Sequence, residues 1–182
     1  MYSSNSLITQ DPLIEDVLGT WSETIGRDLA GYRGHVYRTL NFSCALAGYP
    51  NDHRELSAAA VFHDLGIWSD GTFDYLAPSA ERARAYLSQR RPELNSEAIQ
   101  RVILLHHKLK PLDFVTNAAP EAFRRADLID LSFGLLRFGL PKALVHDARR
   151  AFPNAGFHRC LLRVGLRWAL RHPTRPLPML GW

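Results

Sequence analysis

Apolar residues recur every three or four positions along almost the whole chain, and nowhere do they alternate with polar ones over a strand's length. Such a chain can bury its apolar stripes only by packing helix on helix, because a sheet face needs a period of two. Clusters of Gly, Pro, Asn and Asp punctuate the pattern. They predict helices over residues 12–21, 34–48, 53–65, 79–91, 95–109, 120–136, 141–152 and 155–172. "GYPND" is expected to end the second and cap the third, Gly66 to stop the third, and Asn95 or Ser96 to cap the fifth. "WSDGTFDYLAP" reads as irregular and the tail "PTRPLPMLGW" as extended. The expectation is an all-α fold, a single helical bundle over residues 1–182.

A chain of 182 residues, 46% hydrophobic and 22% charged, is long enough for one real core and too apolar to stay disordered. No apolar run approaches the ~20 residues that cross a bilayer, and the N-terminus lacks a signal-peptide pattern. Cys44 and Cys160 are too few for a disulfide framework and read as small buried hydrophobes. A cytoplasmic protein without membrane partners is expected. The net charge of +4 is unevenly spread. Residues 1–140 carry 14 Lys/Arg against 17 Asp/Glu, whereas residues 141–182 carry 8 against 1.

Against this background "AAAVFHDLGIW" (58–68) is unusual, since it sets His63 and Asp64 at the end of a helix that reads as buried. A buried carboxylate is costly unless something pairs with it. His35 shares a stripe with Thr39, Phe42 and Leu46, and His106 with Ile99, Val102 and Ile103, with His107 on the flank. Asp127 and Asp130 share a face with Phe123 and Gly134. Four helices thus each turn an imidazole or carboxylate inward. A divalent cation would neutralise the carboxylates and take the imidazole nitrogens as ligands.

The order of "GHVYRT", "AAAVFHDLG" and "RRADLIDLS" resembles the HD-domain superfamily of metal-dependent phosphohydrolases, over roughly residues 33–135. The resemblance implies one metal bound by His35, His63, Asp64 and Asp127, with Asp130 as the alternative for the last position. Such a ligand set suits Mn, Fe, Co, Ni or Zn and leaves two positions of a six-coordinate ion open for water and substrate. The two-metal branches carry a further His after the His-Asp pair, and residues 65–105 contain none. One metal is therefore expected. His106 or His107, with Asp64, then serves catalysis, either imidazole contacting substrate or donating a proton.

Lys108 and Lys110 follow the His pair and could meet a phosphate, as could Arg124 and Arg125, and a solvated helix flank accounts for them equally. Asp70 and Asp74 lie in an aromatic-rich loop that could cover a site and lend a general acid. Arg159, Arg163, Arg167 and Arg171 recur every fourth residue on the last helix, a footprint for an acidic partner or a solvated flank; nucleic acid is not expected, since no binding motif accompanies them. The expected function is hydrolysis of a small-molecule phosphate ester or nucleotide. Alternatives are a cyanamide-hydratase-like or diiron-oxygenase reaction, or metal binding without turnover. A homo-oligomer is compatible with all of these.

Overall fold

The structure, a computed structural model, describes residues 7–48 and 53–180, and of residues 114–117 the backbone alone. Helices are the regular element throughout, and no strand occurs among the described residues. They are α1 (Pro12–Thr20), α2 (Ser22–Ile25), a 3₁₀ turn (Gly26–Asp28), α3 (Leu29–Ala47), α4 (Arg54–Phe62) and α5 (Gly66–Ser69). α6 (Leu76–Arg90), α7 (Ser96–Leu105), α8 (Phe114–Leu131), α9 (Lys142–Ala151) and α10 (Phe157–Arg171) complete the chain. The all-α expectation holds. "GYPND" lies at 48–52, outside the described residues except for Gly48, which caps α3 in the left-handed conformation.

α3 is the central helix. Its residues from Gly31 to Cys44 are nearly all buried, with α8 along one side and α4 along another. Ala58, Ala59 and Ala60 are fully buried on α4, and side chains this small let the helix axes approach closely. The Tyr32 hydroxyl ties the two helices by donating to the Val61 carbonyl at 2.8 Å. Two glycines of α3 admit the corner between α9 and α10. A Cβ at Gly34 would lie 2.6 Å from the Pro153 carbonyl oxygen, and one at Gly31 would lie 3.0 Å from Ala155 O and Phe157 N.

Several boundaries differ from those predicted, for physical reasons. α3 starts at Leu29 rather than Gly34 because those glycines pack against backbone and do not mark a helix end. α4 stops at Phe62, and Gly66 opens a second short helix instead of ending the first. A Cβ at Gly66 would meet the Tyr75 carbonyl oxygen at 2.7 Å, so this glycine serves a close chain crossing. α6 begins at Leu76, inside the stretch read as irregular. α8 runs from Phe114 through Pro120 and ends at Leu131, five residues short of the prediction. Beyond it, Phe133 and Phe138 take positive φ values of 55° and 45°.

Both cysteines are buried and free, and burial pushes each thiol up to about 12. Cys44 is a packing residue, as the sequence suggested, whereas the Cys160 thiol also donates to Asp28 Oδ2 at 3.2 Å. Among the described residues no helix is long and apolar enough to cross a membrane.

Candidate metal centre

α4 and α7 end in the same way. His63 is the C-cap of α4 and His106 the C-cap of α7. Each turns its ring back along its own helix so that Nδ1 reaches the carbonyl three residues earlier, Ala60 O at 2.8 Å and Ile103 O at 2.6 Å. A carbonyl only accepts, so in both rings Nδ1 carries the hydrogen and Nε2 keeps a lone pair in the neutral form. The partial negative ends of two helices also meet here, which favours a cation.

His35 obeys the same rule through a carboxylate. Its Nδ1 lies 2.7 Å from Asp130 Oδ2, and Asp130 is held ionised by Arg38, whose Nε and Nη2 donate at 2.5 and 2.7 Å. Burial alone would raise the Asp130 carboxyl, yet these hydrogen bonds and charges carry it well below the usual range. Arg38 is fully buried and spends Nη1 on the Phe152 and Pro153 carbonyls at 2.8 and 3.1 Å. Phe157 stacks on the other side of the His35 ring at 4.1 Å between centroids. Asp130 is therefore the group that orients His35, a common arrangement behind a ligating imidazole.

The lone pairs converge. His35 Nε2 and His63 Nε2 are 2.9 Å apart, and burial lowers His35 to about 4, so at neutral pH the His35 Nε2 carries a lone pair. Around this pair, His35 Nε2 is 3.5 Å from Asp127 Oδ1 and 3.6 Å from Asp64 Oδ2, and His63 Nε2 is 3.4 Å from Asp64 Oδ2. Ligand atoms ~2.1 Å from one ion are ~3.0 Å apart at right angles and ~3.4 Å apart at tetrahedral angles. These spacings are in the range of metal ligands, and the four side chains expected to hold a metal fall into two overlapping triads. His35, His63 and Asp127 form one such triad, and His63, Asp64 and His106 another that shares His63.

The carboxylates share the burden unequally. Burial would raise Asp64, but the electrostatic pull of the neighbouring His63 and His106 outweighs it and lowers the group. Asp127 is raised to about 8 by burial and by repulsion from Asp64 and Asp130, which exceed the attraction of His106. Asp64 Oδ1, His106 Nε2 and Asp127 Oδ2 are buried without a hydrogen-bond partner among the described residues. Buried polar atoms are ordinarily satisfied, and several unsatisfied ones lining the same cluster indicate a place for a ligand.

His106 and His107 complete the wall. His106 Nε2 is 3.7 Å from Asp64 Oδ1, and His107 Nδ1 is 4.0 Å from Asp127 Oδ2. These two histidines and Asp127 form a third triad of metal-ligand spacing. Burial and the neighbouring His106 hold His107 well below its ordinary value, hence neutral. Its Nε2 pairs with the Tyr75 hydroxyl at 2.6 Å. Tyr75 is itself buried, and burial, then the charges of Asp64 and Asp127, keep its phenol protonated.

The peripheral candidates fall elsewhere. Asp70 is held by Arg82 at 2.9 Å and Asp74 by Arg175 at 3.2 Å, so neither carboxylate is placed as a general acid. From that loop it is Tyr75 that reaches the cluster. Arg124 and Arg125 both grip Glu121 at 2.7 Å, a buried carboxylate that also caps Leu112 N. Lys108 follows His107 directly and is half-buried. No protein-family model, curated protein or solved structure matches this chain. What the described residues define is an all-helical protein with a buried His/Asp cluster that could hold a metal ion.

Proposed function

We propose that the chain is a metal-dependent hydrolase of the HD type, acting on a small phosphate ester or nucleotide. One divalent transition metal would be held by His35, His63, Asp64 and Asp127. The observation that carries this reading is the 2.9 Å approach of two imidazole Nε2 atoms, each ring having turned its Nδ1 to an acceptor, between two buried carboxylates. A cation among them would take the lone pair of each nitrogen as a ligand. When bound, the ion supplies a Lewis acid for a substrate oxygen and a water of lowered pKa.

The remaining work falls to the chain's own side chains. His106 keeps an unpartnered Nε2 facing Asp64, able to take a proton from water and return it to a leaving oxygen. Tyr75 fixes the His107 ring, and Lys108 offers an ammonium for a phosphoryl oxygen. The preference for phosphate esters rests on the sequence resemblance. Hydration of a small nitrile-like group, diiron oxidation or metal binding without turnover would start from related ligands. A two-metal variant has its own support, the triad of His106, His107 and Asp127.

Elemental analysis of protein purified without chelator should find about one metal per chain, and adding that metal to stripped protein should raise its melting temperature. Two per chain would favour the two-metal variant. Metal-free protein that gains no stability from Mn²⁺, Fe²⁺, Co²⁺, Ni²⁺ or Zn²⁺ would refute the proposal. A screen of phosphate esters and small nitriles on the loaded protein then separates the reactions.

A further inference from the structure

α10 buries Phe157 and Cys160 and packs Leu161, Val164 and Trp168 against Phe73, Tyr75 and Met179. Those contacts account for its inner face. Its outer face is also apolar, and the described residues leave it uncovered. Leu162, Leu166 and Leu170 are 63%, 57% and 85% exposed. They are spaced by four, so they form a single seam along the helix.

The seam continues beyond the helix. His158 lies one turn before Leu162, and Phe133 from the loop after α8 stacks on its ring at 3.9 Å between centroids. That loop also holds Leu135 in solvent, 87% exposed, together with Leu136 and Phe138. Phe133 and Phe138 keep left-handed backbone, an unfavourable conformation for an aromatic residue, while their rings stay exposed. From His158 to Leu170 the helix rises ~18 Å, about the length of three to four helical turns in a partner.

The charge beside the seam has one sign. Arg159, Arg167 and Arg171 flank the leucines and have no ion-pair partner among the described residues. Arg149 lies over the Phe133 ring at 5.1 Å and Arg125 over Phe138 at 5.4 Å. Residues 141–182 hold 8 basic and 1 acidic side chains, so a second copy of this chain would set like charge against like. A bilayer is fitted best by a broad apolar face; here the seam is one leucine wide, with an arginine row along one edge.

We propose that this face docks an amphipathic helix of a partner protein, one with a leucine-type apolar stripe and an acidic flank. The leucines and Phe133 supply the buried contact, and the arginines fix orientation and reject basic partners. None of these contacts involves a residue of the metal centre, and none requires the reaction assigned to it.

The test uses the full chain and a fluorescent 21-residue designed peptide with leucines at helical spacing and glutamates on one flank. Controls are a register-scrambled peptide of the same composition, a lysine-flanked version, phosphatidylserine/phosphatidylcholine vesicles and a mixed-sequence DNA duplex. The acidic peptide should bind at least about tenfold more tightly than either control peptide, and more weakly as salt rises. Leu166→Ser and Arg167→Glu should each weaken it by about tenfold or more, with helical circular dichroism and metal content unchanged. Equal binding of the scrambled peptide overturns the proposal. So does preferential binding to vesicles or duplex, or self-association by sedimentation that Leu166→Ser abolishes.

Discussion

Replacing Asp130 with Asn separates the orienting carboxylate from Asp127, the one proposed to ligate. Asp130 accepts from Arg38 Nε on one oxygen and from Arg38 Nη2 and His35 Nδ1 on the other, and both side chains of the ion pair are buried. Asn presents one oxygen and one NH₂, so whichever way it turns, donors face donors. The guanidinium keeps the carbonyls of Phe152 and Pro153 but loses its counter-charge. Removing one partner of a buried pair costs about 3–5 kcal/mol, and the surviving carbonyl bonds place this case near 3. With a urea m-value of ~2 kcal/mol/M, the unfolding midpoint of metal-stripped protein should fall by about 1.5 M. Metal affinity should drop ~10–100-fold without vanishing, because His35 keeps its lone pair but loses its anchor. Asp127→Asn should behave oppositely. It should abolish metal binding but remove a carboxyl that burial forces to stay protonated in the fold, leaving the stripped protein as stable as the parent or more so. Urea titrations of both variants, with and without metal, decide the matter. A change below about 1 kcal/mol in Asp130→Asn, or equal losses in both, refutes the division of labour between the two carboxylates.

The raised Asp127 also predicts a pH dependence in the stripped protein. Asp127 is protonated in the fold up to about 8 and ionised in the unfolded chain. The folded state then binds the extra proton, so stability falls by up to about 1.4 kcal/mol from about pH 7 to 8. The slope should be absent in Asp127→Asn, and a slope retained there would remove Asp127 as its cause. Metal affinity should rise over the same interval, since binding must displace that proton, and calorimetry in buffers of different ionisation enthalpy would count it. His106→Gln should fold and keep one metal while losing at least ~10²-fold in turnover on the identified substrate; loss of metal would instead make His106 a ligand. Gly66→Ala should cost about 1–3 kcal/mol and shift Tyr75 away from His107, because its Cβ would lie 2.7 Å from the Tyr75 carbonyl oxygen. A melting temperature equal to the parent's would contradict that crossing.

Much of this was legible because it depends on local pattern. The 3.6-residue period identifies the helices, and inward stripes bring His35, His63, His106 and Asp127 together. Boundaries failed where a residue acts through a distant segment. Gly34 and Gly66 read as helix punctuation but are crossing points for Pro153 and Tyr75. The choice between Asp127 and Asp130 stayed open for the same reason: they lie one turn apart on one face, and the positions of Arg38, Arg149 and His35 Nδ1 distinguish them. Arg38 carried a usable signal, since an arginine inside "GHVYRT" sits among apolar residues one turn from His35 and a buried guanidinium needs a carboxylate. Tyr75 carried none. Its approach to His107 follows from the path of the loop after α5, which no periodicity records.

The corner between α9 and α10 lies directly behind the first imidazole of the cluster. Phe157 rests on His35, and the Arg38 guanidinium joins Asp130 to the Phe152 and Pro153 carbonyls more than a hundred residues further along the chain. An ion that stiffens His35 therefore also steadies the backbone where α10 begins. Amide exchange at 152–157 should slow on loading, reporting occupancy from a position that touches no ion. The communication must run both ways, because equilibrium coupling is reciprocal. Whatever settles on α10 and quiets that corner tightens the hold on the ion by the same factor that the ion tightens the hold on it.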